Sequence, residues 1–335
     1  DGVDVFDYGR LQHIPYDEAL REKIRPLLGT CPYTPEAVAE FQAVNRELTV
    51  FHAEIVKDYI AANGVEVDVI GYEGINLTNY ASGGETGLLG DGKLLAELTG
   101  IRVVCNFHAA DIRAGGQGAP LDPVYYNALC ADIGKPLAVV NISGITRVTW
   151  IGSYGEMTAF DTGPGNAAID EWVRKHGGMH MDYNGKLAIT GKVNEQIVAT
   201  MMRHKYFAKY PPKSTNRSEF VEKLEHLEGL SLEDGAATAT AFVAESIAYS
   251  LLLYLPEIPK ILIVCGGGAT ILRFLRQRLP DMAIHTAAEE GFNTNALPAQ
   301  AVAYLAARRL YCLPVSFPAT TGVPEPMVCG ELCEP

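Results

Sequence analysis

Apolar residues recur at three- and four-residue steps over residues 17–28 and 35–63, which predicts two helices near the start of the chain. A short apolar run at 65–71 predicts a strand, 90–98 a further helix and 101–107 a buried strand. Residues 113–120 read as a Gly-rich loop, with a helix expected from Leu121. The opening DGVDV reads as the middle of a first strand, so residues upstream of Asp1 are expected to be missing or removed.

The pattern then restarts. Apolar runs at 136–141 and 148–153, split by a polar Ser-Gly turn, predict a hairpin, and 167–176 a helix. Ser231 with Asp234 resembles an N-terminal cap before a long apolar helix reaching Leu255. Residues 260–264 predict a buried strand entering CGGGA, followed by a helix, and 296–311 a last helix. The Pro- and Thr-rich tail from Leu313 is expected to cross back over the surface.

Two strand-rich starts, each followed by alternating helices and strands, predict two α/β lobes with mixed sheets flanked by helices and a cleft between them. The boundaries read as 1–134 for an N-terminal lobe, 135–312 for a C-terminal lobe and 313–335 for the tail.

Composition narrows the function classes. A length of 335 residues suits two domains, and a net charge of −13 argues against non-specific binding of nucleic acid or acidic lipid. It leaves room for a phosphorylated small ligand, because such sites need only local donors and a metal ion. The seven cysteines form no CxxC pair and read as free thiols of a reducing compartment, with Cys329 and Cys333 on a mobile end. No run approaches the ~18 apolar residues of a membrane span, and no signal peptide is evident. Of the eight histidines, His176 and His180 are four apart, but Gly177 and Gly178 between them argue against a shared helix face, so no metal pair is expected.

Candidate chemistry lies in Gly-rich loops. DTGPGN (Asp161, Thr162, Gly163, Pro164, Gly165, Asn166) sits between a strand and a helix. Its glycines allow close backbone approach, the amides at the helix start suit an anion, and Asp161 suits Mg²⁺, directly or through water. The plain alternative is an ordinary strand-to-helix turn. CGGGA, with Gly266, Gly267 and Gly268, leaves room for an adenosine against the backbone; close packing of helix on strand explains it equally well. Asp111, just ahead of GGQG, is placed to accept a proton from a hydroxyl or a water, although a solvated loop carboxylate is the commoner case. The Ser-Gly turn of NISGI (Asn141, Ser143, Gly144) offers amides to a phosphate. YFAKYPPKSTNR presents Lys213 and Arg217 on a rigid loop, and on residues alone a surface loop is the stronger reading.

Taken in order, DGVDV, TGLLGDGKLLAELTGI, DIRAGGQGAPL, NISGI, AFDTGPGNAAID, YFAKYPPKSTNR, DGAATATAF, VCGGGA and AQAVAYLAARRL closely resemble the anhydro-N-acetylmuramic acid kinase family over nearly the whole chain. The resemblance implies the actin-like ATPase (ribonuclease H-like) fold and a cytoplasmic, homodimeric enzyme of cell-wall recycling that uses ATP and Mg²⁺. Such enzymes open the 1,6-anhydro ring of their sugar with water and phosphorylate O6. The resemblance implies that Asp111 is the general base. It places Asp1, Gly2, Val3 and Asp4 at the end of the first phosphate turn and NISGI at the second, with DTGPGN on the phosphate side and CGGGA at the adenosine. Gly116, Gln117, Gly118, Ala119 and Pro120 would line the sugar.

The chain departs from the family pattern at several points. The family has a Gly-Thr-Ser turn directly before the DGVD segment, which is expected among the residues upstream of Asp1. Glu73 and Ile75 stand where His and Gln are usual, and His108 where Arg is. Ser143 replaces a Gly, Arg147 falls where Asn is usual, and Pro298 replaces a sugar-binding Glu. These departures leave two alternatives open: a kinase for another anhydro-sugar such as levoglucosan, or an inactive nucleotide-binding relative.

Overall fold

The computed structural model describes residues 2–30, 34–77 and 87–335; Asp1, Cys31 (one of the seven cysteines) and Thr86 (the first residue of TGLLGDGKLLAELTGI) lie outside them. The chain runs through α1 (Glu18–Ile24), α2 (Pro35–Asn63), β1 (Val69–Tyr72), β2 (Ile75–Asn76), β3 (Leu88–Leu89), α3 (Gly92–Thr99), β4 (Arg102–Cys105), α4 (Ala109–Arg113) and α5 (Pro123–Leu129). It continues through β5 (Leu137–Ile142), β6 (Ile145–Ile151), β7 (Met157–Pro164), α6 (Asn166–Gly177), α7 (Glu195–Met201), α8 (Ser218–Val221), α9 (Leu232–Tyr254), β8 (Ile261–Gly266), α10 (Ala269–Arg278) and β9 (Ala283–Thr286). The last elements are α11 (Leu297–Leu310) and β10 (Glu331–Cys333).

These elements group into two units, one made of residues 1–129 and 295–335, the other of 130–294. The division differs from a cut at 134 and 312. Helix α11 packs on β1, β4 and α5, which assigns it to the first unit.

The first unit holds a three-stranded sheet in the order β1-β4-β10, with β1 parallel and β10 antiparallel to β4. Helix α2 starts and stops where its sequence says. Thr34 accepts from the Ala37 amide, Pro35 fills the first turn, and Gly64 closes the helix in the left-handed region at φ 61°. The residues of DGVDV from Gly2 onward form no strand, contrary to expectation. Side chains take the place of strand partners: Arg308 donates to the Gly2 carbonyl at 2.7 Å, and Tyr304 to that of Val3 at 2.9 Å.

The tail also departs from expectation. It is built into the unit: Val315, Ser316, Thr321, Val323 and Cys329 are buried, and β10 completes the sheet. Cys333 brings its sulfur to 3.9 Å from that of Cys105, whose thiol burial pushes up to about 12.

The second unit holds a five-stranded mixed sheet in the order β7-β6-β5-β8-β9, with β5, β8 and β9 parallel and β6 antiparallel to both β5 and β7. Helix α9 is its centre. Ser231 caps it by accepting from the Asp234 amide, as the sequence predicts. It packs on α10, α6, α7 and β7. By length and composition α9 is apolar enough to cross a membrane, a test that a buried core helix also passes, and most of it is buried among these neighbours. Phe242, fully buried, meets Phe207 and Phe220; aromatic contacts of this kind add about 0.5–1.5 kcal/mol each beyond area burial. Gly235 is obligatory on α9, because a Cβ there would run into the Trp172 ring, whose Nε1 donates to the Leu232 carbonyl at 2.9 Å.

Candidate active site

In the first unit the candidate base Asp111 sits in a polar cradle. Strand β4 delivers the chain to the short helix α4, and the carboxylate at its middle is fully buried. Its Oδ1 accepts from the Gly118 amide at 2.6 Å, and its Oδ2 accepts the hydroxyl of Ser316. Ser316 in turn meets Thr321 at 2.9 Å, and the Thr321 carbonyl accepts the Gln117 amide at 2.8 Å. The GGQG loop thus wraps the carboxylate. Gly116 has no room for a side chain, since a Cβ there would strike the Asp111 carboxylate. The solvated-loop reading of Asp111 is therefore overturned: helix α4 and the C-terminal tail bury it. Ser316 and Thr321 were invisible to motif reading, being more than two hundred residues away in sequence.

Two of the departures from the family pattern meet beside this loop. His108 points Nε2 at Glu73, 3.7 Å away, and its Nδ1 lies 2.5 Å from the Gly118 carbonyl. Glu73 and His108 thus contact each other, and His108 anchors the loop. Pro298 sits in the first turn of α11, where its missing amide costs nothing. Gln117, Ala119 and Pro120 follow Gly118 through the same loop.

In the second unit the DTGPGN segment is mostly strand. Asp161, Thr162, Gly163 and Pro164 end β7, Gly165 caps α6 and Asn166 begins it. The Gly165 and Asn166 amides do not face open space. They donate to the carbonyls of Gly144 (3.2 Å) and Ser143 (2.7 Å), while the Ser143 amide and hydroxyl are both spent on Ile145. The two loops expected to offer amides to a phosphate instead hold one another. Gly165 is needed for that contact, because a Cβ would run into the Ser143 carbonyl.

Asp161 is not a free metal ligand, which corrects the Mg²⁺ expectation. Its Oδ1 accepts from Arg147 Nε at 3.0 Å and its Oδ2 from the Thr215 amide at 3.0 Å. Its own amide donates to the Lys213 carbonyl at 3.0 Å, and its carbonyl accepts Tyr206 OH at 2.6 Å. The carboxylate is almost fully buried and is the anchor of the YFAKYPPKSTNR segment. Arg147, another departure, is its counter-ion.

That segment is no surface loop. Tyr206, Phe207 and Lys213 are buried. The Lys213 ammonium lies among the rings of Tyr254 (4.1 Å), Tyr206 (5.0 Å) and Phe160 (5.5 Å), with no hydrogen-bond partner. Burial pushes it down to about 8, while the ring faces favour the cation. In the unfolded chain a lysine titrates near ~10.4. Between these values the unfolded chain keeps a proton that the folded chain has shed, so stability rises with pH across that window. The difference in unfolding free energy between the wild type and Lys213→Met is expected to grow in favour of the wild type from pH 7 to pH 10. A difference that stays flat would show that the ammonium titrates normally.

The CGGGA turn leads from β8 into α10. Gly266, at φ 78°, lies on the Ile142 carbonyl, so this glycine serves helix-on-strand packing. Gly267 and Gly268 instead line a cavity of ≈ 550 Å³, shared with Tyr183, Asn184, Thr240 and Ile271. Its size suits a small-molecule ligand. Asn184, in the left-handed region at φ 58°, accepts the Ala269 amide at 3.0 Å and was missed in the sequence; asparagine's tolerance of that region was its only signal.

The model of the family described as anhydro-N-acetylmuramic acid kinase matches residues 7–334. The chain belongs to the anhydro-N-acetylmuramic acid kinase family. Relatives of that name include the following three. The one from Rhodospirillum rubrum is 43% identical over 98% of this chain and 88% of its own length. Those from Zymomonas mobilis and Paramagnetospirillum magneticum are 41% and 39% identical, over 95% and 99% of this chain and 89% and 93% of theirs. A solved structure, the activator of the 2-hydroxyisocaproyl-CoA dehydratase from Clostridium difficile with bound ADPNP, is 15% identical over 64% of this chain and 78% of its own, at a TM-score of 0.37. As a member of the anhydro-N-acetylmuramic acid kinase family the chain has an α/β fold with mixed sheets and is a sugar kinase.

Proposed function

We propose that this chain uses ATP to open the 1,6-anhydro ring of anhydro-N-acetylmuramic acid with water and to phosphorylate O6, giving N-acetylmuramic acid 6-phosphate and ADP. The observation that carries the reading is the buried Asp111 carboxylate, oriented by the Gly118 amide and the Ser316 hydroxyl. A carboxylate fixed by two donors has a lone pair left to take a proton from the attacking water. The water oxygen bonds to C1, the C1–O6 pair passes to O6, and the proton goes to Asp111. O6 then attacks the γ-phosphorus and ADP leaves. Phosphoryl transfer is mainly positioning and charge neutralisation.

The glycines and the cavity at the β8–α10 turn fit an adenosine. Mg²⁺ does not fit at Asp161, whose charge is already matched by the Arg147 guanidinium, and no cluster of three His, Cys, Asp or Glu side chains gathers among the described residues. The nucleotide's own phosphates are the natural carriers of the ion. Under the same proposal the enzyme is a cytoplasmic homodimer with a small anhydro-sugar as its partner, and neither nucleic acid nor membrane. Sedimentation equilibrium checks the dimer.

The deciding assay is ATP-dependent phosphorylation of 1,6-anhydro-N-acetylmuramic acid. Sugar-dependent ADP release supports the proposal, and its absence from well-folded protein sinks it. Ser316→Ala removes one of the two donors to the base. It is expected to lower kcat about 10-fold, the low end for a hydrogen bond to a charged group, with KM for ATP unchanged. An equal fall in ATP affinity would show a general structural loss instead.

A further inference from the structure

Beyond the adenosine cavity the second unit has another hollow, of ≈ 490 Å³, lined by Ser143, Gly144, Asn166, Arg174, His180 and Arg217. It adjoins the first, because Asn166 and Asp170 line both. It lies at the turn that the family pattern equips for phosphate, yet the turn's donors are largely spent. The Gly165 and Asn166 amides are held by Gly144 and Ser143, and the Ser143 amide and hydroxyl by Ile145. An anion here therefore needs a side-chain cation.

Arg217 is that cation by position. Its guanidinium lies directly on Gly144: a Cβ built there would come within 2.7 Å of Nη2 and 2.8 Å of Cζ. Glycine at 144 is thus what lets the guanidinium reach the turn. The other arginines nearby are occupied, Arg174 by Glu171 and Arg147 by Asp161. Among the described residues no carboxylate pairs with Arg217 at salt-bridge distance; Asp170, lining the same hollow, feels its charge from further off. The residue is also placed from behind. Asp161 grips the Thr215 amide two residues earlier, and Asn216 caps the next turn by accepting from the Glu219 amide at 3.1 Å. A guanidinium is planar and forked, a geometry matched to phosphate oxygens.

We propose that Arg217 binds the polyphosphate of the nucleotide, and that the carboxylate of the DTGPGN motif acts as its positioning residue and not as a metal ligand. This rests on the kinase reading above. It assigns the site a ligand class, a nucleoside di- or triphosphate, and a charge source that the backbone turns do not supply.

Calorimetry with adenosine, ADP and ATP on the wild type, Arg217→Gln and Arg217→Lys tests it. The expected result is a loss of about 10- to 100-fold in ADP and ATP affinity for Arg217→Gln, the value of a hydrogen bond to a charged group. Adenosine affinity stays unchanged, and Arg217→Lys, which keeps the charge but not the fork, falls between. Adenosine binding doubles as the check that the variant is folded. If Arg217→Gln binds ADP and ATP as the wild type does, the inference is overturned. If it loses adenosine to the same degree, Arg217 supports the fold and not the phosphates, and the inference again fails. A wild type that binds none of the three removes the kinase reading, and the inference goes with it.

Discussion

Asp111→Asn is expected to cut sugar-dependent ADP release by about 10²- to 10⁴-fold, the usual contribution of a positioned general base, with ATP affinity and thermal stability little changed. The swap is nearly isosteric. The amide oxygen can still accept from Gly118, and the Ser316 hydroxyl can turn to accept from the new NH₂ and donate to Thr321, which lies 2.9 Å from it. What disappears is the ability to take a proton. Turnover within threefold of wild type would remove Asp111 from the chemistry. A collapse of the melting temperature would show that the carboxylate is there to hold the loop.

The second large effect is on stability. Asp161→Ala is expected to destabilise the protein by about 3 kcal/mol, the low end for breaking a buried ion pair, because Arg147 keeps partial access to water. For a unit of this size that corresponds to roughly 6–12 °C in Tm. The loss has two parts: a guanidinium without its counter-ion, and a Thr215 amide without an acceptor. The Mg²⁺ concentration that supports half-maximal residual turnover should be unchanged. A variant with wild-type Tm and a steeply raised Mg²⁺ requirement would return Asp161 to the metal.

Much of this was legible in the sequence where local chemistry decides. Thr34, Pro35 and Gly64 bracket α2 to the residue, and Ser231 with Asp234 starts α9 where it starts. The hairpin around Ser143 and Gly144 and the strand leading into CGGGA were equally plain. What could not be read locally were partners brought together by the fold. The two halves of the Asp111 cradle come from the GGQG loop after α4 and from Ser316, and Asp161 finds its acceptor role with Arg147 on the neighbouring strand and Thr215 fifty-four residues on. Burial was misjudged for the same reason. A lysine in PPKST looks solvated until Tyr206 of its own segment and the distant Phe160 and Tyr254 close over it. The DGVDV segment failed in the opposite direction: its strand-like alternation found arginine and tyrosine side chains, and no neighbouring strand.

The split composition of the first unit imposes an order of assembly. The second unit is one unbroken stretch, 130–294, whereas the first waits for 295–335. Strand β10 pairs with β4, and Cys333 reaches Cys105 from 228 residues away. Closing a loop of that length is inexpensive, since each doubling adds only about 0.6 kcal/mol, but it cannot happen early on a growing chain. The second unit can be complete while Ser316 and Thr321 are still being synthesised. On a growing chain the second unit can therefore close before Asp111 has the Ser316 hydroxyl that holds it.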